Sequence, residues 1–244
     1  MLYLIGLGLN VKGISKEGLE VAKRCKKVYL EEYTVDYPYS LADIIDILKK
    51  DIKPADREKV ESLEIVDEAQ KSDIALLVYG APLSATTHIS LLEEAKRLRV
   101  KCRVIHAGSV FDAIAETGLQ IYKFGKTPSL PKWDREKNYA PESFIETIKD
   151  NEKIGAHTLL LVDISLGFGQ ALDQFVETIK KHKIKTKKIL VCSRIGMSKG
   201  KIYYRTIKQL QEPGSFDGLK KPYCIVIPGE LNHNEAEFLK RFDE

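Results

Sequence analysis

The sequence predicts an α/β protein. Short runs rich in Val and Ile alternate with amphipathic stretches along almost all of the 244 residues, a pattern typical of strands that alternate with helices. The composition, 43% hydrophobic and 30% charged, lies in the range of globular proteins. Glycine or proline loops follow most apolar runs of the first half, as they do in sheets whose strands are joined by helices.

In the first half, the sequence predicts a repeated unit of a strand, a loop and a helix. Ser15 precedes a stretch in which Leu19, Ala22 and Cys25 recur at helical spacing, so Ser15 is a suitable N-cap. Pro54 and its neighbours are expected to end the second helix. The predicted strands are 2–5, 27–29, 74–79 and 102–106, and the predicted helices are 16–25, 41–50, 88–98 and one that begins near Ser109.

The stretch 125–141 differs in character, because it is polar and marked by Pro128, Pro131 and Trp133. We interpret it as a linker or lid and predict two domains, 1–125 and 126–244. In the second domain the predicted strands are 158–164, 188–192, 202–204 and 223–227, and the predicted helices are 170–181 and 234–242. Asn234 followed three residues later by Glu237 is typical of a capping box.

The net charge is only +4, from 39 Lys+Arg and 35 Asp+Glu. Such mild basicity argues against a nucleic-acid-binding protein. The basic run 180–188 is either a solvated helix end or a surface that docks an acidic partner.

No targeting or membrane segment is expected. The chain enters a strand-like run at once, and its apolar stretches are shorter than the ~18 residues that span a bilayer. Cys25, Cys102, Cys192 and Cys224 are widely separated and form no C-x-x-C motif. Free, buried thiols in a soluble protein of the reducing cytoplasm are therefore expected, rather than zinc ligands or disulfides.

Three loops of small residues follow predicted strands: Gly6-Leu7-Gly8, the segment 79–88 and the segment 106–110. In open α/β sheets such loops form the ligand crevice at the carboxyl ends of strands, so we expect them to share one cleft. A nicotinamide dinucleotide site ranks last, since Val11 stands where its fingerprint needs a third glycine.

Hydrolytic and metal motifs are absent: the sequence has no G-x-S-x-G, no H-E-x-x-H and no P-loop. The five histidines lack the spacing of metal ligands. We therefore predict no metal and identify no catalytic side chain, and we expect a cleft that aligns substrates through its shape and its backbone dipoles.

The segments 106–110 (HAGSV) and 117–126 (TGLQIYKFGK) resemble the central signature of the diphthine synthases. These are S-adenosylmethionine-dependent methyltransferases of diphthamide biosynthesis, related to the tetrapyrrole methylases. Collinear matches support the resemblance at 5–9, at Glu31 with Tyr33-Thr34, and at 82–88, 157–160, 227–231 and 235–237.

This resemblance implies a tetrapyrrole methylase-like fold, with two α/β domains, the methyl donor in the cleft between them, and usually a homodimer. The implied substrate is translation elongation factor 2, whose modified histidine carries an aminocarboxypropyl group that is methylated repeatedly to diphthine. A cytoplasmic location agrees with that substrate.

Carried over position by position, the residues that contact S-adenosylmethionine would be Leu9, Ala81, Ser84, Ser109, Val110, Val162, Ile195 and Tyr223. The family usually has Asp in place of Ala81, Ala in place of Ile195 and His in place of Tyr223. These departures concern donor affinity more than the fold.

Two other hypotheses stay open beside this one. Another methyltransferase of the same fold would act on a precorrin or on ribosomal RNA. A catalytically silent module would bind the elongation factor without binding the donor.

Overall fold

The computed structural model describes residues 1–186 and 188–243. The chain forms two compact units, Met1–Ala113 and Ile114–Glu244. The sequence placed the domain boundary after residue 125, whereas the structure groups 114–125 with the second unit. Gly125 donates its backbone N–H to the carbonyl of His157, which belongs to that unit.

The first unit is built on a parallel sheet with the strand order β3-β2-β4-β1-β5. Its strands are β1 (Leu2–Gly6), β2 (Lys27–Glu31), β3 (Lys53–Ala55), β4 (Ile74–Val78) and β5 (Cys102–Ile105). Its helices are α1 (Lys16–Arg24), α2 (Leu41–Leu48), α3 (Arg57–Glu61), α4 (Glu64–Ala69), α5 (Ile89–Arg97) and α6 (Val110–Ala113). The four predicted strands and the helices predicted at 16–25, 41–50 and 88–98 are confirmed.

Helices cover both faces of this sheet, which explains why its strands read as continuous apolar runs. Tyr3 and Ile5 of β1 pack with α1 and α2. Leu2 and Leu4 of the same strand point the other way and pack with α3, α4 and α5. The central strands β1 and β4 are buried along their whole length.

Strand β3 and helices α3 and α4 were not predicted. Pro54 was expected only to end a helix, but it belongs to β3, at the edge of the sheet, where it pairs with Leu30 of β2. An edge strand tolerates proline because one side of it needs no ladder hydrogen bond. Ser15 caps α1 as predicted, accepting from the N–H of Gly18.

The second unit has a mixed sheet with the strand order β6-β7-β10-β8-β9. Its strands are β6 (Ser129–Leu130), β7 (Thr158–Val162), β8 (Lys188–Ser193), β9 (Lys201–Thr206) and β10 (Tyr223–Ile227). Its helices are α7 (Phe144–Lys153), α8 (Phe168–Lys181), α9 (Ile207–Leu210) and α10 (His233–Leu239), with short 3-10 turns at Ile114–Thr117, Ile121–Lys123 and Lys240–Phe242. Among the strands that the structure describes in this sheet, β6 and β7 pair in parallel and the other neighbours pair antiparallel.

The interpretation of 125–141 as a linker is wrong for its central part. Leu130 is fully buried in the core of the second unit, and β6 pairs with β7. Trp133 is also buried, and its ring N–H donates to the carbonyl of Pro141. Apolar burial therefore ties this stretch to the second unit. Helix α7 was not predicted, although its Phe144 packs in the same core.

The capping box of the last helix begins at Asn232, not at Asn234 as predicted. The Asn232 side chain accepts from the N–H of Glu235, and the Glu235 carboxylate accepts from the N–H of Asn232. The helix therefore starts one residue earlier than expected.

Within residues 1–186 and 188–243, no helix combines the length and apolar character needed to cross a membrane. Cys25, Cys192 and Cys224 are buried free thiols, as predicted, whereas Cys102 is only half-buried. The basic run 180–188 includes Lys187, which lies outside the described residues. Lys180 and Lys181 are the exposed last residues of α8, and Lys181 pairs with Glu142.

Candidate functional site

Three loops lie together at the carboxyl edge of the parallel sheet. The β1 loop (7–13), the β4 loop (79–88) and the β5 loop (106–109) follow strands that are direct neighbours in the order β4-β1-β5. Because parallel strands end at the same edge, these loops are brought side by side. The structure confirms that the three small-residue loops meet.

The glycines of these loops permit close backbone contacts. A Cβ atom on Gly6 would lie 2.6 Å from the carbonyl oxygen of Gly80 and 2.9 Å from the Cβ of Ala107. Gly8, with a φ of +68°, exchanges backbone hydrogen bonds of 3.2 and 3.0 Å with Gly80. Glycine is required at Gly6 because a side chain there would push the β4 and β5 loops away, and at Gly8 because its φ is positive and a Cβ would lie 2.9 Å from Gly13.

The five predicted site residues of the first unit all lie in these loops or directly after them. Leu9, Ala81 and Ser109 are buried, and Ser84 and Val110 are half-buried. The Ser84 N–H donates to the carbonyl of Ala81 over 3.1 Å, which closes a tight turn.

The Ser109 hydroxyl is already engaged within the protein. Its Oγ donates to Oδ2 of Asp112 over 3.0 Å, and the same oxygen accepts the Ser109 N–H over 2.7 Å. Ser109 Oγ in turn accepts the N–H of Phe111. These bonds fix the start of α6, so a ligand here would be offered only the remaining lone pair of Ser109 Oγ as a polar contact.

Sequence reasoning missed a cluster of tyrosines beside the β1 loop. The hydroxyl of Tyr79 donates to the carbonyl of Leu9 over 3.1 Å. The rings of Tyr37 and Tyr39 pack edge to face, with their centroids 5.6 Å apart, and the ring of Tyr37 lies equally close to that of Tyr79. Burial raises the pKa of Tyr37 and Tyr39 well above its usual range, so both phenols stay protonated. Tyr37 and Tyr39 lie in an irregular segment, where no periodicity marks them.

The three predicted site residues of the second unit lie at the same end of three neighbouring strands, β7, β10 and β8. Val162 ends β7, Tyr223 begins the antiparallel neighbour β10, and Ile195 follows β8. The hydroxyl of Tyr223 donates to the carbonyl of Leu166 over 3.3 Å, and its ring packs against Phe168. Burial raises the pKa of Tyr223, so its hydroxyl remains a hydrogen-bond donor.

A buried polar network lies elsewhere in the second unit. The side chains of His157 and Glu235 are 0% and 1% exposed, and His157 Nε2 is 3.1 Å from Oε1 of Glu235. His157 Nδ1 accepts the N–H of Gly229, so the proton of the neutral ring is on Nε2, which donates to the carboxylate. Burial lowers the pKa of His157 more than the carboxylate raises it.

The Glu235 carboxylate has further donors. Lys123 Nζ lies 2.6 Å from Oε2, and the backbone N–H groups of Gln120 and Asn232 each donate over 3.0 Å. Burial by itself raises the pKa of Glu235, but these hydrogen bonds outweigh it and lower the pKa to about 2. The polar groups of this network find their hydrogen-bond partners within the second unit. The network therefore holds residues 120–123 against α10 and against the segment that follows β10.

The described residues contain no cluster of three or more His, Cys, Asp or Glu side chains able to hold a metal ion. The loop edge of the first unit instead presents backbone groups and small side chains. A Cβ atom on Gly108 would meet nothing within 4 Å, so open space adjoins the β5 loop. Such an edge can cradle a small ligand and orient it through backbone dipoles.

Similar proteins share this architecture over nearly the whole chain. Residues 1–211 match the family described as Tetrapyrrole (Corrin/Porphyrin) Methylases. The chain is 36% identical to the diphthine synthase of Methanococcus maripaludis over 98% of each chain. It is also 36% identical to the diphthine methyl ester synthase of Saccharomyces cerevisiae, covering 99% of this chain and 89% of that one. A crystal structure of a diphthine synthase matches with a TM-score of 0.86 at 29% identity, covering 99% and 95% of the two chains.

Proposed function

Because the chain belongs to the tetrapyrrole methylase family, we propose that it methylates the aminocarboxypropyl-histidine of translation elongation factor 2 to form diphthine. The chain is a methyltransferase of diphthamide biosynthesis, and its methyl donor is S-adenosylmethionine. The observation that carries the proposal is the match to a named diphthine synthase over 98% of both chains.

We assign the donor contacts of the first unit to Leu9, Ala81, Ser84, Ser109 and Val110. Their surroundings fit such a donor, because small side chains and backbone groups line the loop edge and open space adjoins Gly108. Val162, Ile195 and Tyr223 of the second unit carry the same assignment from the resemblance. Tyr223 would contribute a neutral phenol in place of the imidazole that is usual in the family.

When bound, the donor would supply a methyl group on a sulfonium. The substrate amine, having lost its proton, would attack this methyl carbon in line while the carbon–sulfur bond breaks and S-adenosylhomocysteine leaves, so no covalent enzyme intermediate is needed. The protein then has to align two substrates and exclude water. Orientation of this kind can lower the barrier by about 7–11 kcal/mol. The loops suit this role, because their backbone positions are held by internal hydrogen bonds such as those at Gly8 and Ser109.

The relatives include both diphthine synthases and diphthine methyl ester synthases. These names differ in whether a methyl ester is formed, and the extent of methylation by this chain is therefore an experimental outcome. The proposal also includes a homodimer and a cytoplasmic location, where elongation factor 2 acts. Neither a nucleic acid nor a membrane is a proposed partner.

The first test is calorimetric titration with S-adenosylhomocysteine, the reaction product. We expect saturable binding at one site per chain. Gly108→Leu should abolish binding by filling the open space beside the β5 loop, whereas Glu93→Leu, which places a leucine on the exposed face of α5, should bind normally. Absence of binding by the unaltered chain would favour the silent elongation-factor-binding module.

The second test is methyl transfer to elongation factor 2 carrying the aminocarboxypropyl-histidine, with the methyl groups counted by mass spectrometry. Unmodified elongation factor is the matched control and should gain none. Transfer to a precorrin or to ribosomal RNA, with none to the elongation factor, would refute the proposed substrate and favour another methyltransferase of this fold.

A further inference from the structure

The β4 loop is folded around a single carbonyl group. The carbonyl oxygen of Pro82 accepts from Thr86 Oγ1 over 3.0 Å and lies 3.0 Å from Nδ1 of His88. The same loop carries Ala81 and Ser84, two of the residues assigned to the methyl donor. The position of the Pro82 carbonyl therefore bears directly on how these two residues are presented.

The bond between His88 and Pro82 determines the state of the imidazole. A carbonyl can only accept, so Nδ1 of His88 must carry the proton that it donates to Pro82. The His88 side chain is 1% exposed, and among the described residues its Nε2 atom has no hydrogen-bond partner. Leaving a buried polar atom unpaired destabilises the folded state. Only one of the two imidazole nitrogens therefore has a hydrogen-bond partner in the part of the chain that the structure describes.

The neighbouring loop after β2 supports this imidazole. The ring of Tyr33 packs edge to face on His88, with the centroids 6.2 Å apart. Tyr33 is itself held by the buried carboxylate of Glu31, which accepts the N–H groups of Tyr33 and Thr34 over 2.5 and 2.6 Å. The hydroxyl of Tyr33 also lies 3.5 Å from Oγ1 of Thr87 in the β4 loop. Both loops therefore converge on the same imidazole.

We propose that His88 is a positioning residue for methyl-donor binding and acts through its Nδ1 hydrogen bond to the Pro82 carbonyl. This inference rests on the proposed function, since it assumes that the β4 loop contacts the donor. A loop held in one conformation before binding loses less conformational entropy when the ligand arrives. Ala81 has no polar side chain to steer the donor, so the fixed backbone of the loop has to do so.

Two near-matched variants separate the hydrogen bond from the packing of the ring. In His88→Asn the amide nitrogen stands one bond beyond Cγ, as Nδ1 does, and can still donate to Pro82. In His88→Gln the amide nitrogen lies one bond further from the backbone, so it no longer occupies the position of Nδ1 and cannot donate to the Pro82 carbonyl in the same way. Both variants lack the ring, so a difference between them reports the Nδ1 bond. Thr86→Val removes the second donor to the same carbonyl.

The readout is the affinity for S-adenosylhomocysteine, with thermal unfolding followed by circular dichroism as the control for folding. We expect His88→Gln and Thr86→Val each to bind about two- to tenfold more weakly, the effect of one lost hydrogen bond. His88→Asn should bind close to the unaltered chain. In methyl transfer, His88→Gln should raise the KM for the donor and leave the KM for the elongation factor unchanged.

Equal weakening in His88→Asn and His88→Gln would overturn the inference, because the ring rather than the Nδ1 bond would then matter. Unchanged binding in His88→Gln would overturn it as well. A failure of the proposed function is distinguishable, since the unaltered chain would then not bind S-adenosylhomocysteine at all.

Discussion

The charge of Glu235 is predicted to stabilise the second unit substantially. Its carboxylate is almost fully buried, accepts bonds from four donors and has a pKa of about 2, against an ordinary value of 4.5. Because each tenfold change in proton affinity is about 1.4 kcal/mol, this difference corresponds to about 3 kcal/mol. Glu235→Gln has the shape of the protonated acid. The free energy of unfolding of this variant at pH 7 should therefore be about 3 kcal/mol lower than that of the unaltered chain.

The assay is urea unfolding followed by fluorescence of Trp133, the single tryptophan, which is buried in the second unit. Glu237→Gln is the matched control on the same helix. Glu237 is exposed and pairs with Lys240, so its replacement should change the free energy of unfolding by less than about 0.5 kcal/mol.

The pH dependence has a definite sign. The folded-state pKa of Glu235 lies below the unfolded value, so its stabilisation is complete above about pH 4.5 and is lost as the pH falls towards 2. The difference in the free energy of unfolding between the unaltered chain and Glu235→Gln should therefore decrease to about 1.4 kcal/mol at pH 3. A difference below about 0.5 kcal/mol at pH 7, or one that does not narrow on acidification, would refute the reasoning.

Three further predictions concern single positions. Gly118→Ala should destabilise the second unit by about 2–4 kcal/mol in the same urea assay, because Gly118 has a φ of +79° and a Cβ there would lie 2.1 Å from the ring of Phe238. Gly6→Ala should lower the stability measured by thermal unfolding by about 1–3 kcal/mol, since its Cβ would meet the β4 loop. Gly108→Ala should leave the stability unchanged, because a Cβ there meets nothing within 4 Å. Equal stabilities of the two variants would contradict this prediction. Burial lowers the pKa of His157 below its usual 6.5, so the unfolded chain binds a proton first and stability falls as the pH drops below about 6.5. His157→Gln should abolish that part of the pH profile, and an unchanged profile would show that another group causes it.

The parallel strands were predictable from sequence because burial on both faces leaves an uninterrupted apolar run. The segment 74–78 shows this directly, since all five residues are buried. Strand β3 has three residues, two of them exposed, and contains a proline. Nothing in its local pattern indicates a strand, and only pairing with β2 makes it one. Short edge elements of this kind depend on their neighbours rather than on their own sequence.

The loops of the candidate site were predictable for a related reason. A glycine-rich turn after a buried strand must lie at the carboxyl edge of the sheet, so Gly6, Gly80 and Gly108 were expected to come together. Which residues stand opposite them was not predictable. Tyr37 and Tyr39 pack from an irregular segment against Tyr79 of the β4 loop. The contact between Tyr33 and His88 joins two loops that are separated by two strands and three helices in sequence.

The start of the last helix shows where local sequence information ends. Asn232 and Asn234 are each followed three residues later by a glutamate, so two equivalent capping boxes compete. Starting the helix at Asn234 would leave the carboxylate of Glu235 without the N–H of Asn232. Starting it at Asn232 adds that bond to those that Glu235 accepts from Lys123 and His157, which are 112 and 78 residues away in sequence. Tertiary hydrogen bonds to a buried carboxylate therefore select between two starts that the local pattern leaves equal.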